Sequence, residues 1–383
     1  MRIALITDGI FPYVLGGMQK HSFYLAKYFA QNKIEVDLFH FNQSQYDIDK
    51  LEFFTIEERK YIRSIVLQFP KVFPFPGHYI YESYLYSKQI FTIIKPDLHN
   101  YDFIYAKGFT AWKLIIEKKR GLKCPPIGVK FHGLNMFQPA YSFKNKLESI
   151  LLKSPASYNM KNADYVFSYG GKITELKKQI GIPASKIIEI PTGIDETWMD
   201  IKEVNSVSLN SKRAFVFIGR YDTIKGIEEL NLAISKLQNQ AVFDFHFIGP
   251  IPIEKQLKFD HIYYHGKITD IKQLQSILIQ CDVLICPSYS EGMPNVIIEA
   301  MAMGLAIIAT DVGAINVLVS ENNGWLLLKP SENNIVDAML AAINLQNKEL
   351  TKKKDFSVKF VQSNLQWSQI VKKLISEISR IQV

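Results

Sequence analysis

Short β-branched or aromatic runs bounded by Gly, Asp or Pro recur along the chain and alternate with longer amphipathic stretches. In the first half this pattern predicts strands at Arg2–Thr7, Ile34–His40, Phe103–Lys107, Ile127–Phe131, Tyr165–Ser168 and Ile187–Ile190. In the second half it predicts Ala214–Ile218, Asp244–Ile248, Ile262–Tyr264, Val283–Cys286, Ala306–Ala309 and Gly324–Leu327. Strand and helix in alternation mean a parallel sheet covered on both faces. Twelve strands in one sheet would be unusual, whereas six and six make two doubly wound, Rossmann-like α/β domains. The seam falls at IPTGID (Ile190–Asp195), after which a polar, strandless stretch runs to Lys212. The domains expected are 1–192 and 193–365, with a closing helix at 366–383. Ligands of open parallel sheets bind outside the carboxyl ends of the strands, so two such sheets facing each other imply a cleft.

Two segments stand apart from this alternation. Residues 51–100 are the least regular, with Phe69, Phe73, Phe75, Tyr79, Tyr81, Tyr84 and Tyr86 gathered around Pro70, Pro74 and Pro76. They read as an irregular excursion that shapes a binding site or packs against the first domain. The tail from Lys352 to Val383 has helical spacing at Phe356, Phe360, Trp367, Ile370, Leu374 and Ile378, as in helices that dock on a surface.

Composition narrows the class. A chain of 383 residues that is 48% hydrophobic can bury two substantial cores. Cys124, Cys281 and Cys286 make neither a disulfide framework nor a paired zinc spacing, which fits a reducing compartment. The start, MRIALITDGIF, turns acidic at Asp8 too early for a secretory signal, and no uncharged apolar run is long enough to span a membrane. A soluble, cytoplasmic protein is expected. The net charge of +8 is concentrated: nine Lys/Arg face three Asp/Glu at 101–150, and seven face two at 351–383. Such local excess suits an anionic partner, whether nucleic acid, an anionic membrane face or a phosphorylated substrate; two solvated helix faces are the plainer explanation.

The most informative motif is SEGMPNVIIEAMAMG (Ser290–Gly304), which follows the strand VLIC. Pro294 stands where the first helical turn begins and Gly304 where the helix stops. Glu291 then lies in the loop before the helix, and Glu299 about 7 Å further along its axis. Between them are the backbone N–H groups of Gly292, Met293, Asn295 and Val296, which a helix start leaves without an acceptor inside the helix, Pro294 having none. A helix N-terminus is an anion site, so a phosphate could sit there with hydroxyl-bearing groups at each carboxylate. That order of parts is the shape of a nucleotide sugar, although a lone Glu299 could equally pair with a lysine.

Three further constellations lie at strand ends. FIGRYDTIKG (Phe217–Gly226) presents Gly219, Arg220 and Lys225 where two cations could hold a diphosphate and stabilise its charge as it leaves. The loop DGIFPYVLGGMQKH (Asp8–His21) places Gly16 and Gly17 before a helical pattern, where they could approach a phosphate or simply form a turn. In VKFHG (Val129–Gly133), His132 follows a strand and is either a structural histidine or a participant in the site. His21, His246, His261 and His265 have weaker contexts. The string Asp47-Ile48-Asp49 could hold a metal but lies in a polar stretch beside Lys50, as a solvated loop would. No HExxH, P-loop, GxSxG or zinc spacing occurs.

Taken together and in order, GGMQKH, FHG, IPTGID, IGR followed by KG, SEGMPNVIIEA and the late Trp367 resemble glycosyltransferase family 4 over nearly the whole chain. These are retaining transferases of the GT-B fold, two Rossmann-like domains facing across a cleft. The resemblance makes 1–192 the acceptor-side domain and 193–365 the nucleotide-sugar-binding domain. It implies that Glu291 contacts the hydroxyls of the donor sugar, Glu299 the ribose, and Arg220 with Lys225 the diphosphate. Gly16 and Gly17 would bring N–H groups to the donor, His132 would lie near the transferred sugar, and Gly266–Ile268 near the nucleobase. The final helix would return to the first domain, placing both basic segments on it, where they suit anionic lipid headgroups. EGMPNV, in place of the commoner EGFG, resembles bacterial surface-polysaccharide members, while Gln19 stands where many members have Glu. The expectation is a metal-independent transferase with no cofactor, moving a sugar from a nucleotide diphosphate sugar, uridine-based first, to a lipid-linked or growing glycan. It would be cytoplasmic, peripheral at the inner membrane face, and without a nucleic-acid partner, since no helix-turn-helix or RNP-like pattern accompanies the basic stretches. Two rivals stay open: a nucleotide-sugar epimerase sharing this fold, and a binder without catalysis.

Overall fold

The computed structural model describes residues 1–14, 16–41, 53–138, 143–199, 212–239 and 242–381. They form two compact units, Met1–Thr192 with Trp367–Val383, and Gly193–Gln366. The first opens with β1 (Arg2–Ile6), α1 (Gly17–Gln31), β2 (Glu35–Phe41), a short α2 (Ile56–Arg59), β3 (Ile62–Leu67) and α3 (His78–Ile94). It continues with β4 (Phe103–Lys107), α4 (Trp112–Lys119), β5 (Ile127–Lys130), α5 (Phe143–Asn162), β6 (Tyr165–Ser168), α6 (Gly171–Gln179) and β7 (Ile187–Glu189). All strands are parallel, in the order β3-β2-β1-β4-β5-β6-β7. Along β1, Ile3 and Leu5 point into one core while Ala4 and Ile6 point into the other. A strand buried on both faces must be apolar throughout, which is how this one reads.

Among the described residues this sheet therefore has seven strands, where the sequence predicts six. The extra one, β3, lies in the segment expected to be irregular. It is an edge strand with one buried residue, Leu67, and Arg63 and Ser64 interrupt its apolar run, so neither alternation nor a continuous apolar stretch marks it. The same segment holds the 17-residue α3, whose aromatic content argues against a helix by propensity. Its buried face follows helical spacing through Ser83, Tyr86, Ser87, Ile90 and Ile94, and the two serines hide that spacing from an apolar pattern.

The second unit runs β8 (Arg213–Ile218), α7 (Ile227–Leu237), β9 (Phe243–Ile248), β10 (Ile262–Tyr264), α8 (Ile271–Leu278) and β11 (Val283–Cys286). It ends with α9 (Asn295–Ala302), β12 (Ala306–Thr310), α10 (Ile315–Leu318), β13 (Gly324–Leu327), α11 (Glu332–Asn344) and α12 (Asn347–Asn364). Its six parallel strands are ordered β10-β9-β8-β11-β12-β13. After a break at Leu365 and Gln366, α13 (Trp367–Ile381) packs in the first unit. Trp367 is buried there, stacked on Tyr24 at 5.6 Å and edge-on to His21 at 4.9 Å, and Ile370, Val371, Leu374 and Ile378 continue the buried stripe.

This division corrects one expectation about charge. Lys352, Lys353, Lys354 and Lys359 lie on α12 in the second unit, so the two basic segments do not share one domain. Nor is the 101–150 excess all surface: Lys107 and Lys130 are 0% exposed. The strand order reverses between β1 and β4 in one sheet and between β8 and β11 in the other. Crossovers leave these points in opposite directions, so a crevice opens at the carboxyl ends of the strands.

Candidate active site

At the switch point of the second unit, β8 delivers Gly219 and Arg220, and β11 delivers Ser288 and Glu291. Arg220, 68% exposed, pairs with Asp222 at 2.9 Å. Asp222 in turn accepts from the Ile224 amide and caps the single helical turn that carries Lys225. The chain then turns through Gly226, at φ +66°, where an added Cβ would stand 2.0 Å from the Pro287 carbonyl oxygen. That close approach brings Lys225 Nζ to 2.6 Å from Glu291 Oε1, which also accepts from Ser288 Oγ at 2.8 Å. Burial disfavours the Lys225 ammonium, but the Glu291 carboxylate outweighs it and holds the amine above its ordinary range. Burial and the Glu291 charge push the neighbouring Cys286 thiol up to about 12, leaving it protonated.

Glu291 leads into α9 through Gly292, buried Met293 and Pro294. Pro294 occupies the N-cap, one position before the first helical turn where the sequence pattern puts it, and Gly304 follows the helix at φ +75°. Asn295, Val296 and Glu299 are half-buried, while Ile297, Ile298, Ala300 and Met301 pack into the unit. Gly313, at φ +63°, backs the loop, and an added Cβ there would be 2.3 Å from the Glu291 carbonyl oxygen. The Ala314 amide donates to the Gly292 carbonyl at 2.7 Å and fixes that contact. Gly266 follows β10, and its carbonyl accepts from Gly249 at 2.8 Å.

The switch point of the first unit has a different chemistry. Asp8 follows β1, Lys107 ends β4 and His132 follows β5. Lys107 Nζ lies 2.6 Å from His21 Nδ1 and 3.1 Å from His132 Nε2, and Tyr169 OH lies 2.5 Å from His132 Nδ1. Both ring nitrogens of His132 are thus engaged by the protein. Behind them Lys130 Nζ donates to the Ile190 carbonyl at 3.1 Å and sits 3.8 Å from the Tyr169 ring centre. Lys177 donates to the Phe167 carbonyl at 2.6 Å. Burial lowers Lys107 and Lys130 well below the lysine range, takes Lys177 to about 7, and keeps His21 and His132 well below the histidine range. Burial also pushes Asp8 up to about 6. Gly16 and Gly17 are exposed at the start of α1.

The structure thus brings Lys225 and Glu291 into contact, and seats Arg220 on the same short loop as Lys225. His132, Gly16 and Gly17 belong to the first unit. Sequence reading missed Asp222, Ser288, Asp8, Lys107 and Tyr169. Asp222 had a signal, being two residues after Arg220, but Lys107 gave only a strand end. Asp47 and Asp49 lie outside the described residues, among which no group of His, Cys, Asp or Glu is arranged to hold a metal ion.

The fold is that of a GT-B glycosyltransferase. Sucrose-phosphate synthase from Thermosynechococcus elongatus superposes with a TM-score of 0.78 at 19% identity, covering 99% of this chain and 98% of that one. Anabaena HepE in complex with UDP-glucose superposes with a TM-score of 0.66 at 16% identity, covering 99% and 100%. The family model described as Glycosyltransferase Family 4 matches residues 15–198, and that described as Glycosyl transferases group 1 matches residues 212–344. The chain thus carries a glycosyltransferase family 4 domain followed by a glycosyl transferases group 1 domain, as its motifs imply.

Among curated relatives, the putative teichuronic acid biosynthesis glycosyltransferase TuaC of Bacillus subtilis is 33% identical over 177 residues, 44% of each chain. An uncharacterized glycosyltransferase of Methanocaldococcus jannaschii is 26% identical over 81% of this chain and 84% of its own. The N,N'-diacetylbacillosaminyl-diphospho-undecaprenol alpha-1,3-N-acetylgalactosaminyltransferase of Campylobacter jejuni is 26% identical over 55% and 59%. The alignments thus span less than two thirds of the Bacillus and Campylobacter proteins.

Proposed function

We propose that this glycosyltransferase moves a sugar, with retention of configuration, from a nucleotide diphosphate sugar to a lipid-linked or growing glycan in bacterial surface polysaccharide synthesis. The observation that carries the reading is the Lys225–Glu291 contact of 2.6 Å beside the N-terminus of α9, with Arg220 on the same loop as Lys225. Fixed cations and free helix amides suit a diphosphate, and carboxylates on either side suit hydroxyls. Uridine is the first choice of base, supported by the UDP-glucose named for the Anabaena neighbour. The acceptor is supported by the teichuronic acid and diphospho-undecaprenol of the relatives' names.

In this reading Arg220 and Lys225 hold the diphosphate and stabilise its charge as it leaves, so turnover needs no divalent ion. Glu291 contacts the sugar hydroxyls and Glu299 the ribose. The leaving diphosphate takes the acceptor proton during front-side attack. The protein would meet a lipid-linked acceptor as a peripheral partner at the cytoplasmic face; no helix among the described residues is long and apolar enough to cross a membrane. The test is incubation in EDTA with a pool of nucleotide sugars and a bacterial lipid extract, followed by mass spectrometry. Release of one nucleoside diphosphate with a glycosylated lipid is expected. An isomerised donor without release would identify an epimerase instead.

A further inference from the structure

A carboxylate beside an anion site weakens anion binding unless it does other work there. Asp222 stands in that position, between Arg220 and Lys225 in the chain. Arg220 Nε donates to Asp222 Oδ2 at 2.9 Å, and Arg220 Nη2 lies 2.9 Å from the same oxygen. The carboxylate therefore grips the side edge of the guanidinium, the edge that includes Nε. The end-on edge, formed by Nη1 and the outer hydrogen of Nη2, points away from Asp222, and such a pair of parallel N–H groups is what binds a phosphate bidentately.

The same residue holds the second cation through its other oxygen and its backbone. Asp222 Oδ1 accepts from the Ile224 amide at 3.1 Å, and the Asp222 carbonyl accepts from the Lys225 amide at 2.8 Å. Together they fix the start of the turn Thr223–Lys225. The Tyr289 amide donates to the Ile224 carbonyl at 2.9 Å and ties that turn to the loop carrying Glu291, on which Lys225 rests. Stability does not account for the Arg220 pair: Arg220 is 68% and Asp222 32% exposed, and pairs this open to solvent contribute little to folding. Placement does account for it. A long exposed side chain loses rotamer freedom when it closes on a ligand, and that cost falls where the chain already holds it.

We propose that Asp222 is the positioning residue of the diphosphate site, one carboxylate that turns the end-on edge of Arg220 toward the ligand and caps the turn that delivers Lys225 to Glu291. The assignment rests on the glycosyltransferase reading and adds the residue that prearranges its two leaving-group cations.

The experiment measures UDP affinity by calorimetry on the full chain, for wild type, Asp222→Asn, Asp222→Ala, Arg220→Ala and the double variant Arg220→Ala with Asp222→Asn. GDP and ADP are run beside UDP, since the placement of the cations does not depend on the base. The single oxygen of an asparagine side chain still caps the turn, whereas its amide cannot accept from Arg220, so Asp222→Asn releases the arginine alone. With Arg220 present it should weaken the bound nucleotide about two- to tenfold, the cost of ordering one long side chain. In the Arg220→Ala background only the repulsion between Asp222 and the diphosphate is left to remove, so the same substitution should cause no loss. Misfolding cannot produce that reversal, because it acts alike in both backgrounds. Asp222→Ala gives up the cap as well and should bind more weakly than Asp222→Asn. An equal loss in both backgrounds, or tighter binding by Asp222→Asn with Arg220 present, overturns the placement of Arg220. Equal affinities of the Asn and Ala variants overturn the part played by the cap. A wild type that binds none of the three nucleotides overturns the donor reading and this assignment with it.

Discussion

Gly313→Ala tests whether the Glu291 loop must sit where it does. The new Cβ would lie 2.3 Å from the Glu291 carbonyl oxygen and 2.5 Å from that of Gly292, against an ordinary contact of at least 3.4 Å, so the loop must retreat by about 1 Å. Glu291 holds Lys225 at 2.6 Å, and the same retreat opens that contact. Misplacement of about 1 Å at a reacting centre can cost about a hundredfold in rate. The backbone term can be subtracted: Gly266 has φ +67°, close to the +63° of Gly313, but an added Cβ there meets nothing within 4 Å. Both variants bear the left-handed penalty of about 1 to 2 kcal/mol, while only Gly313→Ala bears an overpacking cost of about 1 to 3 kcal/mol. Thermal unfolding of the two variants, and turnover by Gly313→Ala and wild type of whichever nucleotide sugar the donor screen identifies, are the assays. Turnover of Gly313→Ala within twofold of wild type, or equal destabilisation of the two variants, would refute the reasoning.

Lys225→Met should lower turnover by about two to three orders of magnitude, as loss of a fixed electrostatic group does; full turnover in steady-state kinetics would sink its assignment to the diphosphate. Asp8, pushed up to about 6 by burial, keeps a proton in the folded chain between about pH 4 and 6 that the unfolded chain gives up. Stability from this group is therefore present at low pH and lost as pH rises through that window, and Asp8→Asn should restore about 2 to 3 kcal/mol at pH 7. Parallel pH–stability curves for wild type and Asp8→Asn, from urea unfolding between pH 4 and 7, would contradict this. Trp367→Ala should cost about 3 to 5 kcal/mol, since the indole is 1% exposed, stacked on Tyr24 and edge-on to His21; a loss below 1 kcal/mol by the same method would show that α13 docks without it.

The parts of the fold that could be read from sequence are those where one chemical requirement acts over consecutive residues. β11 and β12 are buried on both faces, so VLIC and AIIAT are apolar without interruption. The loop into α9 needs an N-cap and a stop, and Pro294 and Gly304 supply them locally. β3 and α3 answer to mixed requirements: an edge strand tolerates Arg63 and Ser64, and the buried side of α3 includes Ser83 and Ser87. The Lys107 network lay beyond a linear reading for another reason. His21 on α1, Lys107 at the end of β4 and His132 just after β5 are 86 and 25 residues apart, and meet only because β1, β4 and β5 are adjacent in the sheet. No spacing rule covers a contact created by strand order.

That network also changes what a charge count means. A formal charge of +8 takes every lysine as protonated, yet burial pulls Lys107 and Lys130 well below the lysine range and Lys177 to about 7. The two sheets share an order of strands but hold opposite electrostatics at their switch points. In the second unit, Arg220 is exposed on Asp222 and Lys225 is kept charged by Glu291, so both cations stand ready for a ligand that is already anionic. In the first unit, burial pushes Asp8 up and Lys107 and His132 down, toward their uncharged forms, and Lys107 and His132 are bound to one another. Under the proposed function the fixed charges of the second unit suit the departing diphosphate. The contrast follows from which strand ends carry ion pairs open to solvent and which carry titratable groups buried against one another.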